Sequence, residues 1–173
     1  MTDLLVQLIK DISLFGNSVW FIAFFVLGFL VYFLNKKDLT RTFSLLLCMT
    51  SYVLATILKG VFRESRPEGF SPIIYVQWDT YAFPSAHVLF YTVLFGYLFI
   101  LTFRKNYFSK LLKHSMRILA LLMVTLVGVS RVVSGAHFVR DAVFGYIIGF
   151  VYLAFILAVE KYVEQKQAKG QKA

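Results

Sequence analysis

Charged side chains are scarce in this sequence, which contains only nine acidic residues among 173. Charged residues make up 16% of the chain, whereas hydrophobic residues make up 59%. A water-soluble domain usually carries about a quarter charged residues and about half apolar ones. The excess of apolar side chains therefore predicts a membrane protein, and the same composition excludes intrinsic disorder, collagen and a coiled coil.

Cysteine is almost absent as well. Cys48 is the single cysteine, so a disulfide framework and a cysteine-rich zinc module are both excluded. Internal repeats, low-complexity tracts and interdomain linkers are also missing from the sequence. We therefore interpret residues 1–160 as one domain, followed by a polar tail over residues 161–173.

Five intervals without Asp, Glu, Lys or Arg approach the roughly 17 to 25 residues that a membrane crossing needs. They are residues 12–34, 42–58, 80–103, 118–130 and 142–159. The fourth is long enough only if it continues through residues 131–133, which places the Arg131 guanidinium at the membrane edge, where charge is usually functional. We expect the first interval to be a permanent span rather than a cleaved signal peptide.

The segment before the first span has a different pattern. Over residues 1–14, apolar side chains recur at helical spacing with polar residues between them, which predicts an amphipathic helix on the membrane surface. The predicted fold class is therefore all-α, a bundle of five transmembrane helices with an N-terminal interfacial helix.

Five crossings place alternate loops on opposite sides of the membrane. Twelve of the 18 basic residues then fall on one side, which the positive-inside rule predicts to be cytoplasmic. The acidic residues leave that side at +9, the whole formal charge of the chain, and bring the other side to zero. The positive charge is thus explained by topology and anionic lipid headgroups, so a nucleic-acid partner is not expected.

Three polar segments fall on the opposite, outer side: residues 59–67, 84–87 and 130–141. They contain three cations, Lys59, Arg66 and Arg131, each of which taken alone could be a lipid anchor. Together they can bind a dianion, because the planar Arg guanidinium matches phosphate oxygens and Lys supplies a point charge.

Two histidines accompany these cations. His137 precedes Asp141 by four positions, so the carboxylate can hold one ring nitrogen and leave the other to act as a nucleophile. His87, at the start of the third span, can protonate a leaving oxygen. A single histidine near a helix end is more often structural, and His114, in a basic loop, has no predicted role. A metal site is disfavoured because the surrounding cations would repel a divalent ion.

The pattern Lys-x6-Arg-Pro, Pro-Ser-x-His and Ser-Arg-x5-His-x3-Asp, from Lys59 to Asp141, resembles the three-part signature of the type 2 phosphatidic acid phosphatase superfamily. Vanadium haloperoxidases and bacterial acid phosphatases share that signature. The resemblance implies a helical bundle, a reaction that needs neither metal nor other cofactor, and a covalent phosphohistidine.

The roles of individual residues follow from this resemblance. Carried over by position, His137 is the nucleophile, Asp141 its orienting partner, and His87 the general acid and then base. The phosphate-binding positions are Lys59, Arg66, Ser85, Ala86 through its backbone amide, and Arg131. The superfamily usually has glycine where this chain has Ala86, which raises a question about the local backbone geometry.

We therefore expect a phosphatase of the bacterial inner membrane that removes phosphate from a lipid phosphate or pyrophosphate, with its site on the periplasmic face and its C-terminus in the cytoplasm. Aromatic residues between Pro67 and Pro84 suit a lipid-facing lid or an interfacial belt equally well.

Lipid A 1-phosphate is the favoured substrate and undecaprenyl pyrophosphate follows closely, on general resemblance alone. Phosphatidylglycerophosphate hydrolysis and a lipid phosphotransferase are alternatives, and a non-catalytic scaffold is the least favoured. Its partners are the bilayer and the lipid substrate, and no oligomeric state is predicted.

Overall fold

The computed structural model describes residues 19–68, 81–104 and 107–170, and every regular element in these ranges is an α-helix. The helices are α1 (Val19–Asn35), α2 (Leu39–Phe62), α3 (Ala86–Leu101), α4 (Lys110–Val133) and α5 (Val139–Gly170). An isolated antiparallel bridge pairs Ser65 with Tyr81. The all-α prediction is confirmed for the described ranges, and the predicted interfacial helix over residues 1–14 lies outside them.

Three of these helices, α2, α4 and α5, are long and apolar enough to cross a membrane. Helices α1 and α3 are apolar but shorter. Helix α3 is shorter than the predicted span because residues 82–85 form a turn before its first residue. Helix α4 is longer than predicted: the Ser109 side chain accepts a hydrogen bond from the Leu112 amide at 3.3 Å at its start, and its last turn includes Arg131. Crossing by all five helices stays a prediction.

Helix α5 also extends beyond its predicted span. It continues without interruption past residue 160 to Gly170, so the proposed division between domain and tail falls inside a helix. The side chains of this extension are mostly exposed, with the exception of Glu160, which is fully buried.

Helix α3 is the centre of the bundle. Twelve of its sixteen residues are buried, as expected for a helix that is apolar on all sides. It packs closely against α5 at two glycines. A Cβ added to Gly145 would lie 3.0 Å from the Ser85 carbonyl oxygen, and one added to Gly149 would lie 2.8 Å from the Thr92 Cβ. Glycines four residues apart let two helix backbones approach in a membrane, and here they fix the start of α3 against α5.

The bundle has two chemically distinct ends. Helices α2 and α4 finish where α3 and α5 begin, and we call this the signature end (residues 59–68, 81–87 and 131–141). The opposite end, where α2 and α4 begin and α3 and α5 finish, is the distal end (residues 35–41, 101–104, 107–117 and 160–170). Along α2, the rise from Arg41 to Lys59 is about 27 Å, which is close to the thickness of a bilayer core.

Candidate active site

The first site segment leaves α2 through a left-handed turn. Arg63 has φ of 51°, and its amide donates to the Lys59 carbonyl at 2.9 Å, which ends the helix. Lys59, in the last turn, is buried although it is a lysine. Arg66 follows the turn and donates from Nη1 to the Ala136 carbonyl at 3.0 Å, so the first segment is fastened to the third.

The second segment presents the start of α3. Ser85 occupies the position before the helix, where a serine hydroxyl commonly caps the first amides, but its side chain makes no capping bond. The Ser85 Oγ is buried and has no hydrogen-bond partner within the described ranges, while its amide donates to the Asp141 carbonyl at 3.1 Å. The first amides of a helix lack intrahelical acceptors and favour anions. The Ser85 hydroxyl and these amides are therefore suited to oxyanion binding.

Ala86 is the first residue of α3 and lies within the α-helix. The helical conformation is available to every L-amino acid, so alanine in place of glycine demands no unusual backbone here. The departure from the superfamily pattern thus leaves the backbone compatible with the predicted role of this amide. His87 follows it in the first turn and is partly exposed.

The third segment reverses direction through a glycine turn. The Ala136 amide donates to the Arg131 carbonyl at 3.1 Å, and the Gly135 amide donates to the Val132 carbonyl at 3.0 Å. Gly135 has φ of 70°, and this pair of bonds is the Schellman arrangement that closes many helices. The His137 amide also reaches the Arg131 carbonyl, at 3.2 Å. This turn explains the fixed spacing between Arg131 and His137, because it folds the histidine back toward the arginine.

Asp141 has two contacts at the start of α5. Its Oδ2 accepts from the Phe138 amide at 2.9 Å and lies 3.5 Å from the His137 Nδ1. The first is a helix-capping bond; the second is within ion-pair distance but longer than a hydrogen bond. Asp141 is fully buried. His137 and Asp141 are therefore adjacent, in the irregular turn that leads into a helix, and the role of the carboxylate in orienting the ring stays a prediction.

The two histidines lie among the three cations. The cations nearest in effect to His87 are Arg131, Lys59 and Arg66, and His137 is a further titratable neighbour. Burial lowers the pKa of His137 below its ordinary value; Asp141 opposes this shift, and Arg66 and Lys59 reinforce it. This shift favours the neutral form of His137, the state in which a ring nitrogen can attack phosphorus.

Two further contacts were not anticipated from the sequence. The Arg140 guanidinium pairs with Glu64 across the rim of the site, and its Nε lies 3.7 Å from the Asp141 Oδ1. Tyr91, one turn after His87, is buried within electrostatic reach of Arg131. The spacing of Tyr91 from His87 along α3 was a signal that could have identified it, whereas nothing in the sequence pairs residues 64 and 140.

All eight predicted site residues therefore lie at the signature end, and hydrogen bonds link the three segments that carry them. The arrangement combines a neutral imidazole next to a carboxylate, a second imidazole, three cations and an unbonded buried hydroxyl. These groups can bind a tetrahedral dianion and attack its central atom.

Known proteins share this sequence pattern and this fold. A family model described as the PAP2 superfamily matches residues 41–165, which include all eight candidate residues. Phosphatidylglycerophosphatase B of Bacillus subtilis (strain 168) is 26% identical over 165 residues, covering 94% of this chain and 79% of its own length. Bacitracin transport permease protein BcrC of Bacillus licheniformis is 26% identical over 160 residues, covering 85% of this chain and 72% of its own.

A solved structure gives the same result for the fold. The crystal structure described as the first transmembrane PAP2 type phosphatidylglycerolphosphate phosphatase from Bacillus subtilis matches with a TM-score of 0.73. The match covers 92% of this chain and 78% of that one, at 24% sequence identity. This likeness establishes the fold.

Proposed function

Because the chain belongs to the PAP2 superfamily, we propose that it is a membrane lipid phosphatase that passes a phosphoryl group through His137 to water. One observation carries the proposal: the buried His137 lies 3.5 Å from Asp141 and among the charges of Lys59 and Arg66. A neutral nucleophile, its orienting carboxylate and the cations that stabilise a phosphate dianion are thus in one place.

In the first step, the His137 Nε2 attacks the substrate phosphorus. An N–P bond forms as the P–O bond to the lipid breaks, and His87 gives a proton to the departing lipid oxygen. Asp141 holds the Nδ1–H of the ring and stabilises the positive charge that develops on it. Lys59, Arg66 and Arg131, with the Ser85 hydroxyl, stabilise the phosphoryl oxygens.

In the second step, water attacks the phosphohistidine. His87, now neutral, accepts the proton of that water, the N–P bond breaks, and inorganic phosphate leaves. The three cations supply the charge stabilisation that metal ions supply in many phosphoryl-transfer enzymes, so the proposed reaction needs no metal.

A lipid substrate is supported by the position of the site at one end of an apolar bundle. Three helices are long enough to span a bilayer, and the site lies where two of them end and the third begins. A headgroup could reach the cations while its hydrocarbon chains stay in the membrane. We place this end at the outer face of a bacterial inner membrane and the end of α5 in the cytoplasm, from the distribution of basic residues.

Phosphatidylglycerophosphate is our first candidate substrate, because the name of a curated relative and the description of a solved structure, both from Bacillus subtilis, give that activity. Undecaprenyl pyrophosphate and lipid A 1-phosphate, which the sequence analysis ranked ahead of it on general resemblance, remain candidates. Each of these lipids presents a terminal phosphate next to a large hydrocarbon body.

The test is phosphate release by the purified full chain in detergent micelles, with these three lipids and phosphatidic acid as parallel substrates. We expect release from at least one lipid, fastest from phosphatidylglycerophosphate, inhibition by vanadate and no loss with EDTA. Free phosphate as the product supports hydrolysis, whereas a phosphorylated lipid acceptor indicates a phosphotransferase. Activity that disappears with chelator and returns with Mg²⁺, or no release from any of the four lipids, contradicts the proposal.

A further inference from the structure

Three phenylalanine rings form a continuous array beside the candidate site. The rings of Phe62 and Phe83 lie 4.9 Å apart between centroids, and those of Phe83 and Phe144 lie 5.2 Å apart. Both contacts are edge-to-face, an arrangement favoured by the charge distribution of aromatic rings. The array therefore joins the end of α2, the turn before α3 and the first turns of α5.

Each ring of this array lies within or close to one of the three site segments. Phe62 lies three residues after Lys59, and Phe144 lies three residues after Asp141. Phe83 lies two residues before Ser85. Three residues along a helix correspond to a rise of about 4.5 Å, so Phe62 and Phe144 lie within about one helical turn of the site residues Lys59 and Asp141 along the helix axes.

The exposed fraction differs among the three rings of the array. Phe83, in the middle, is 8% exposed, whereas Phe62 and Phe144 on either side are 51% and 46% exposed. Further exposed apolar side chains continue the surface along the same turns: Val61, Phe138, Val139 and Val143. The apolar surface thus begins at the site and ends at the outside of the bundle.

From this continuity we propose that the Phe62–Phe83–Phe144 array binds the first part of the hydrocarbon chain of the lipid substrate. The inference rests on the proposed function, because it needs a phosphate held by the cations with a chain attached to it. A chain that leaves the bound phosphate along this path contacts the rings before it reaches the bilayer. Exposed phenylalanines of a membrane protein also contact bulk lipid. The test must therefore distinguish contact with the chain of a bound lipid phosphate from contact with bulk lipid.

Kinetics with two chain lengths tests this role. The variants are Phe62→Leu and Phe144→Leu, and Phe150→Leu is the matched control because Phe150 is 54% exposed on α5 outside the array. For a lipid phosphate with sixteen-carbon chains, we expect KM to rise about three- to tenfold in the two array variants, with kcat retained. This is less than the roughly 10- to 200-fold effect of a methylene in a closed pocket, because the rings are half exposed. KM for the same headgroup on four-carbon chains, and both KM values of Phe150→Leu, should stay at the wild-type level.

A binding measurement separates this inference from the proposed function, because it needs no turnover. The probe is a lipid phosphate that carries a photoreactive group near the start of its chain, crosslinked to the full protein in micelles. We expect labelling of the residues around Phe62 and Phe144, and competition by unlabelled lipid phosphate but not by a phosphate-free lipid with the same chains. Equal competition by both lipids, labelling concentrated around Phe150, or crosslinks between two protein chains would overturn the inference. Specific labelling without phosphate release would instead retain the chain site and reject the phosphatase.

Discussion

Ionic side chains meet at both ends of the bundle, but they are paired differently. At the distal end, Arg104 lies 2.5 Å from Glu160 and 2.9 Å from Glu164, and Arg41 contacts the same two carboxylates. The Tyr97 hydroxyl donates to Glu160 at 2.5 Å. Two arginines meet three carboxylates there, because Arg41 also lies 3.7 Å from Asp38, and the network joins the start of α2, α5 and the segment after α3.

At the signature end, Arg140 pairs with Glu64, and the candidate site beside this pair contains more cations than carboxylates. The eight candidate site residues include three cations and a single carboxylate, Asp141. In the described part of the chain, buried polar atoms without a hydrogen-bond partner include the Ser85 Oγ, the His137 Nδ1 and the Asp141 Oδ1 at this end, and the Arg41 Nε at the distal end. Buried polar atoms are normally bonded, so such atoms in a native site call for an explanation.

The two ends of the bundle therefore use buried charge in different ways. A matched network costs desolvation on both sides and holds helices in one arrangement, whereas a cluster with more cations than carboxylates is stabilised further when it binds an anion. We therefore interpret the distal network as a structural contact and propose that the candidate site at the signature end binds an anionic ligand. Four experiments test this contrast.

The largest expected effect is on the nucleophile. His137→Asn should reduce phosphate release at least about 10³-fold, since removal of a covalent nucleophile costs most of the chemical acceleration. His114→Asn is the matched control, because His114 is an exposed histidine on α4 near the distal end. The measurement is kcat on the best lipid, with retained folding checked by circular dichroism. Comparable kcat values for the two variants would contradict the assignment of the nucleophile to the signature end.

A second variant tests the guanidinium geometry. Arg66 donates from one nitrogen to the Ala136 carbonyl, so its remaining donors can face a phosphate at the same time. Lysine cannot reproduce this fork, and we expect Arg66→Lys to lower kcat/KM by about 10²-fold. Arg63→Lys, at an exposed position in the preceding turn, should leave kcat/KM unchanged. Full activity of Arg66→Lys would mean that any cation suffices there.

At the distal end the expected effect is on stability instead. Glu160→Gln removes the buried charge between Arg41 and Arg104, and breaking a buried ion pair typically costs about 3 to 5 kcal/mol. We therefore expect a clearly lower melting temperature in detergent, with kcat of the folded fraction retained. Glu164→Gln is the control, because that side chain is 33% exposed and should cost about 1 kcal/mol or less. Loss of kcat at full stability would place catalytic function at the distal end.

The smallest expected effect is a displacement of the pH profile. Attack requires neutral His137, whose pKa is lowered by burial and by Arg66 and Lys59, with Asp141 opposing the shift. Activity should thus persist as the pH falls to about 6.5, the ordinary histidine pKa, and decline only below it. Arg66→Gln removes one positive neighbour, which raises this pKa and moves the acid limb of kcat/KM to higher pH. A limb that stays in place, measured on the same substrate, would show that Arg66 does not influence the nucleophile.

Much of the site was predictable because its residues have fixed spacings within short segments. The interval from Arg131 to Asp141 corresponds to one glycine turn and the first turn of α5, so local geometry determines where His137 lies. The helix lengths were less predictable. The uncharged interval over residues 80–103 includes the turn before α3, so it overestimates that helix. The uncharged interval over residues 118–130 omits the first turns of α4, which Ser109 caps, so it underestimates that helix.

The distal network was not predictable from local pattern. Arg41 and Glu160 are 119 positions apart, and the sequence analysis counted the arginine only as an indicator of membrane orientation. The array of Phe62, Phe83 and Phe144 was unpredictable for the same reason, because its rings come from three separate segments. Both features depend on how α2, α3 and α5 pack, which spacing along the chain does not encode.

Asp141 has a practical importance for later work on this protein. The same oxygen caps α5 and faces the His137 ring, so the protein cannot lose this carboxylate without weakening the start of its longest helix. An inactive form intended for trapping a bound lipid should therefore be made at His137, with Asp141 left in place. Replacement of the aspartate would confound a defect in chemistry with a loosened scaffold.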